Sequence, residues 1–160
     1  MQSSQAGSSV ILAIDGDPLA LSNTAAVLAR VGYEVHGASN PIAARAAVRA
    51  RTFDLIISDV HVSGESGLSL CRQLRLEPSH GDTPLMFVSS TQLPDIIRRV
   101  HDAGGTYYLR KPFDPNVLLE LVDKALWLPH LVDTRIRRGQ LVPAPHAPLA
   151  QLVRAAIFAN

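Results

Sequence analysis

The sequence predicts an α/β fold with a parallel sheet covered by helices on both faces. Strand-like and helix-like segments alternate five times within the first 130 residues. The strand segments are short apolar runs with no in/out alternation, as expected of a sheet buried on both sides. Polar residues gather where those runs end, and in such a sheet the loops at the carboxyl ends of the strands form the site. Crossovers between parallel strands are right-handed almost without exception.

The elements follow in order. Val10–Ile14 is the first run, ending in Asp15-Gly16-Asp17. Pro18 suits the first turn of a helix that continues to about Val31, with Gly32 just beyond it. Tyr33–Ala38 reads as the second strand. Pro41 then opens an Ala/Arg-rich helix to about Arg51, capped by Asn40 or Ser39. Phe53–Ser58 is the third strand and stops at Asp59. A loop with Gly64 and Gly67 leads into a helix over Leu68–Leu76. Leu85–Val88 is the fourth strand, followed by Ser89-Ser90, and the helix Ile96–Ala103 closes at Gly104-Gly105. Thr106–Leu109 is the fifth strand; Lys111-Pro112-Phe113 and a helix from about Pro115 to Leu128 complete the set.

Composition narrows the function classes. The chain has 160 residues, 47% apolar and 18% charged, which is too apolar for a disordered segment. A net charge of +1 gives no field that favours nucleic acid. No apolar run approaches the ~20 residues of a membrane span. The polar start MQSSQAGSS lacks the basic-then-apolar form of a signal peptide, so a cytoplasmic protein is expected. Cys71, the single cysteine, excludes an intramolecular disulfide and a multi-cysteine metal site. Charge divides unevenly: residues 1–132 sum to −2 and residues 133–160 to +3. The expected division is a disordered start over 1–8, a domain over 9–130 and an extension over 131–160. That extension holds a Pro-rich connector (Pro143, Pro145, Pro148) and a short amphipathic helix.

Asp15, Asp17, Asp59, Ser89 and Lys111 each follow a buried run, which puts acids, a hydroxyl and an amine on one edge of the sheet. Helix capping explains single acids, and is the better reading of Asp17 before Pro18, but it does not explain Lys111. Converging carboxylates repel, and a hard divalent cation is the usual remedy. A carboxylate in such a site can attack phosphorus and give an aspartyl phosphate, with a cation and a hydroxyl around the phosphoryl oxygens.

Over about residues 9–130 the chain resembles the receiver domain of two-component response regulators. Asp15 matches the first acid of the family's pair, Asp59 the phosphoacceptor and Gly67 the loop glycine. Ser89 matches the Ser/Thr position, Lys111-Pro112-Phe113 the Lys-Pro-Phe motif, and Tyr108 the switch aromatic. The resemblance implies a flavodoxin-like sheet of order 2-1-3-4-5. It implies Mg²⁺ held by Asp15, Asp59 and the His61 backbone carbonyl, with Lys111 and Ser89 on the phosphoryl group. It also implies a histidine kinase or phosphotransfer protein as donor, a downstream protein partner, and a switch made of Ser89 and Tyr108.

Two departures stand out. The second acid of the pair is Gly16, with Asp17 beside it as a doubtful substitute ligand, and Ser63 replaces the usual loop proline. Loss of that carboxylate implies weak or lost Mg²⁺ binding that Gly16→Asp would restore. A degenerate, phosphorylation-independent binding module is therefore the alternative function. Ile14-Asp15-Gly16-Asp17 also fits the DxD motif of haloacid-dehalogenase-type phosphatases, a third reading that leaves Asp59 and Gly67 unexplained. Neither direct nucleic-acid nor membrane contact is expected. In the tail, Leu149, Leu152, Val153, Ala156 and Ile157 form an apolar stripe expected to cover Trp127, in the same chain or in a homodimer.

Overall fold

The computed structural model describes residues 8–137, with side chains through Trp127. In chain order the elements are β1 (Val10–Ile14), α1 (Pro18–Arg30), β2 (Glu34–Ala38), α2 (Pro41–Ala50) and β3 (Leu55–Asp59). Two short strands, β4 (His61–Val62) and β5 (Glu65–Ser66), precede α3 (Gly67–Leu74) and a 3₁₀ turn at Pro78–His80. Then come β6 (Leu85–Ser89), α4 (Ile96–Asp102), β7 (Gly105–Arg110) and α5 (Pro115–Arg137). The five long strands pair in parallel in the order β2-β1-β3-β6-β7, which is 2-1-3-4-5 when only those strands are counted.

Both faces of the sheet are buried, which accounts for the continuous apolar runs. Alternate residues go to opposite layers. Ile11, Leu55, Ile57, Met86 and Val88 pack with Leu28 of α1 and Leu118, Val122 and Ala125 of α5. Leu12, Ile14, Ile56, Leu85 and Phe87 pack with Ala44, Val48, Leu70, Cys71, Leu74 and Val100 from α2, α3 and α4. Each strand position thus removes apolar surface from water on one side or the other. Burial pushes the Cys71 thiol up to about 12, against the opposing effects of a Ser58 hydrogen bond and the Arg75 charge.

Local chemistry sets the helix starts. Asp17 accepts the Leu19 N–H at 3.0 Å, with Pro18 in the first turn of α1, and Asn40 accepts the Ala43 N–H at 2.8 Å ahead of Pro41. Strand and helix ends shift by one or two residues from the sequence expectation, and two features depart further. The loop after Asp59 contains a hairpin, because Ser63 (φ 47°) and Gly64 (φ 82°) both adopt the left-handed conformation that a tight two-residue turn between antiparallel strands requires. Helix α5 does not end near Leu128 but runs through Pro129 to Arg137. A proline costs one helical hydrogen bond and crowds the carbonyl four residues back, and here the helix continues past both penalties. Trp127 is 58% exposed, on the side of α5 away from Leu118, Val122 and Ala125. The amphipathic stripe expected over Leu149–Ile157, its Pro-rich connector and residues 1–7 lie outside the described residues. No helix among the described residues is long and apolar enough to cross a membrane.

At the edge of the sheet opposite the polar cluster, His80 is wholly buried. Its Nε2 accepts the Phe53 N–H at 3.1 Å and its Nδ1 lies 3.0 Å from the Ser79 hydroxyl, so the neutral ring carries its proton on Nδ1. Burial holds its pKa below the ordinary 6.5, against the pull of Glu77. The neutral form is therefore favoured by folding. Its contribution to stability is present above about pH 6.5 and is lost as the pH falls through the lowered value. Urea unfolding between pH 7.5 and 5 should show this decline, and His80→Gln should flatten it.

Candidate active site

Asp15 follows β1 and Asp59 ends β3; these strands are direct neighbours, with Ile14 in register with Ser58. Lys111 follows β7, and its backbone N–H donates to Ser89 O at 3.0 Å, tying it to the end of β6. Its ammonium lies between the two acids, 2.5 Å from Asp15 Oδ2 and 2.8 Å from Asp59 Oδ2. All three side chains are at most 19% exposed, so water screens the contacts poorly. Burial alone would depress the ammonium. The hydrogen bonds and negative charges of Asp15 and Asp59 outweigh it, and the Lys111 pKa is raised above the ordinary lysine value.

The remaining carboxylate oxygens are also engaged. Asp15 Oδ1 accepts the Asp17 N–H at 2.9 Å, and Asp59 Oδ1 accepts the His61 N–H at 3.0 Å. Asp17 itself is exposed, and its carboxylate caps α1. His61 is exposed and reaches the site through its backbone. Gly67 fits beneath this arrangement for a steric reason: a Cβ there would lie 1.8 Å from the Asp59 carbonyl oxygen.

Ser89 is buried at the end of β6, and its hydroxyl is turned to Thr91. It donates to Thr91 Oγ1 at 3.0 Å and accepts the Thr91 N–H at 3.1 Å. The Tyr108 hydroxyl lies 3.3 Å from both Ser89 O and Thr91 O. The structure therefore brings Asp15, Asp59 and Lys111 into direct contact and sets Ser89 and Tyr108 in a second, linked network. Sequence reasoning missed Thr91 as a member of that network. The Ser89-Ser90-Thr91 run of hydroxyl residues, a type that bonds locally, is the signal that could have found it.

An acid pair on neighbouring strand ends, an ammonium across it and a hydroxyl on the next strand is the arrangement that comparison can test. A family model described as the response regulator receiver domain matches residues 11–123. The chain belongs to this family. Receivers are signalling domains of two-component systems. A gliding motility regulatory protein of Myxococcus xanthus is 32% identical over 115 residues, which is 71% of this chain and 15% of that protein. The chain spans less than two thirds of the length of the curated relatives it matches. Among solved structures, the chemotaxis protein CheY4 of Vibrio cholerae superposes with a TM-score of 0.71 at 28% identity, covering 75% of this chain and all of that one. The receiver of the sensor histidine kinase PA1611 of Pseudomonas aeruginosa shares the fold at 22% identity and TM-score 0.68, over 75% of this chain and 98% of that one. The PA1611 structure holds a magnesium ion coordinated in its active site cleft.

The site offers a divalent ion the carboxylates of Asp15 and Asp59, both of which already bond the Lys111 ammonium. Mg²⁺ demands near-octahedral oxygen ligation. Here the donors are two carboxylates bridged by an ammonium, with Gly16 in the place of a third acid. No cluster of three or more His, Cys, Asp or Glu suited to a metal occurs among the described residues. As a check on the packing that holds Asp59, Gly67→Ala should destabilise the domain by about 3 kcal/mol in urea unfolding, since the clash is with backbone that cannot easily yield.

Proposed function

We propose that this receiver accepts a phosphoryl group on Asp59 from the phosphohistidine of a histidine kinase or phosphotransfer protein, and that the modification alters its contacts with a downstream protein. The observation that carries this reading is the Lys111 ammonium on Asp59 Oδ2 at 2.8 Å. It supplies fixed positive charge where negative charge on a transferring phosphoryl group would develop. In the step, an Asp59 carboxylate oxygen forms a bond to phosphorus while the phosphorus–nitrogen bond breaks, its electron pair leaving with the imidazole. Lys111 then pairs with a phosphoryl oxygen.

Ser89 and Tyr108 are the switch. For the Ser89 hydroxyl to reach a phosphoryl oxygen it must release Thr91, whose carbonyl and that of Ser89 hold the Tyr108 hydroxyl. Moving that hydroxyl therefore disturbs the residues that hold Tyr108, which is the two-state element that coupling needs. A second reading, a phosphorylation-independent binding module, draws support from Gly16 and from the engagement of all four carboxylate oxygens. The phosphatase reading loses its footing, because Asp17, the second acid of its DxD motif, is an exposed helix cap.

Treatment with acetyl phosphate, with and without MgCl₂, followed by intact-mass measurement decides between the first two. A labile adduct is expected on the natural chain and none on Asp59→Asn. Lys111→Ala should slow labelling by about 10²-fold, the scale of losing one aimed electrostatic donor. No adduct on the natural chain under either condition favours the binding module. Once labelling is established, the Tyr108 ring resonances should shift on phosphorylation and stay unchanged in Ser89→Ala.

A further inference from the structure

Gly16 reads in the sequence as a ligand simply lost, yet the structure gives it a steric partner. A Cβ built on Gly16 would lie 2.9 Å from the backbone nitrogen of Ser63, 3.1 Å from its hydroxyl and 3.6 Å from its Cα. The nearest of these atoms is backbone, so the contact cannot be relieved by a rotamer change. Ser63 is also the one non-glycine residue at positive φ among the described residues, at the tip of the β4–β5 hairpin. That hairpin is fastened on both sides of its tip. The Ser63 hydroxyl donates to Ser39 O at 2.9 Å in the loop between β2 and α2. Glu65 on β5 pairs with Arg45 of α2, which also bonds Gln73 of α3. At its base the hairpin carries His61, whose N–H rests on Asp59 Oδ1.

We propose that Gly16 and Ser63 form a steric pair. The hairpin tip is seated in the space a side chain at position 16 would need, and Ser63 is the positioning residue that holds it there. The site is thereby built for two carboxylates and an ammonium and discriminates against a tightly bound divalent cation. A carboxylate cannot be restored at position 16 alone, because its own Cβ has no room until the hairpin yields. The proposal rests on the geometry of the Asp15–Asp59 site and not on its phosphorylation.

Two measurements, both made without a phosphodonor, test it on the full chain. The first is a thermal-melt cycle with Gly16→Ala and Ser63→Gly, neither of which adds a charge. Glycine accepts the positive φ at position 63 freely, and so leaves the hairpin able to shift. Gly16→Ala is expected to lower the melting temperature by roughly 4 °C or more in the Ser63 chain and by less than half of that in the Ser63→Gly chain. Equal losses in the two backgrounds overturn the steric pair. The second is calorimetric titration with MgCl₂, with the His61 amide shift followed in parallel. Gly16→Asp alone should bind Mg²⁺ little better than the natural chain, and Gly16→Asp with Ser63→Gly should bind at least about 10-fold more tightly than either. Equally tight binding by Gly16→Asp alone, or tight binding by the natural chain, overturns the proposal. Because the cycle reads packing and the titration reads the ion, neither result depends on whether Asp59 takes a phosphoryl group.

Discussion

Two carboxylates at the ends of neighbouring strands repel, and in a poorly hydrated cleft that repulsion must be answered. In this chain an ammonium answers it. Lys111, 96 residues from Asp15 and 52 from Asp59 along the sequence, bonds to both. The contact joins the end of β7 to the ends of β1 and β3 across the intervening strand β6. Everything else at that edge is arranged around it: the His61 and Asp17 N–H groups on the outer oxygens, Gly67 packed against the Asp59 carbonyl, and Ser89 holding the Lys111 backbone. The sheet brings the acids together, and the lysine makes their proximity tolerable.

Much of this was legible in the residues because burial and repulsion leave compositional marks. Apolar runs without alternation can belong only to a two-sided sheet or a buried helix, and their four-to-six-residue lengths, punctuated by Gly and Pro, select the sheet. The helix starts were equally readable, since Asp17 and Asn40 each precede a proline and both act as caps. What escaped was set by contacts between segments distant in sequence. The seating of Ser63 over Gly16 depends on how a hairpin packs on the β1–α1 loop, and no local pattern encodes that distance. Thr91 is a loop hydroxyl in the sequence, and only the fold sets Ser89 and Tyr108 on either side of it. Helix α5 passes the expected end near Leu128 because a helix can lose one hydrogen bond at a proline and continue.

The hydroxyl network differs in kind from the charged cluster beside it. Lys111 and the acids are fixed by full charges in a shielded place, whereas Ser89, Thr91 and Tyr108 exchange neutral hydrogen bonds of about 3.0–3.3 Å. Neutral bonds contribute on the order of 1 kcal/mol each, little enough for a competing anion to redirect them. A rigid electrostatic anchor next to a cheaply rearranged polar network suits a site that must keep its reacting carboxylate in place while its surroundings change.

The lone thiol of the chain lies in the layer that α3 forms against the sheet, with its pKa pushed up to about 12. Alkylating reagents attack the thiolate, and the native fold offers them neither the ionised sulfur nor a path to it. Modification must therefore wait for α3 to lift, so the rate at which Cys71 is alkylated becomes a clock for local opening of the layer that buries it.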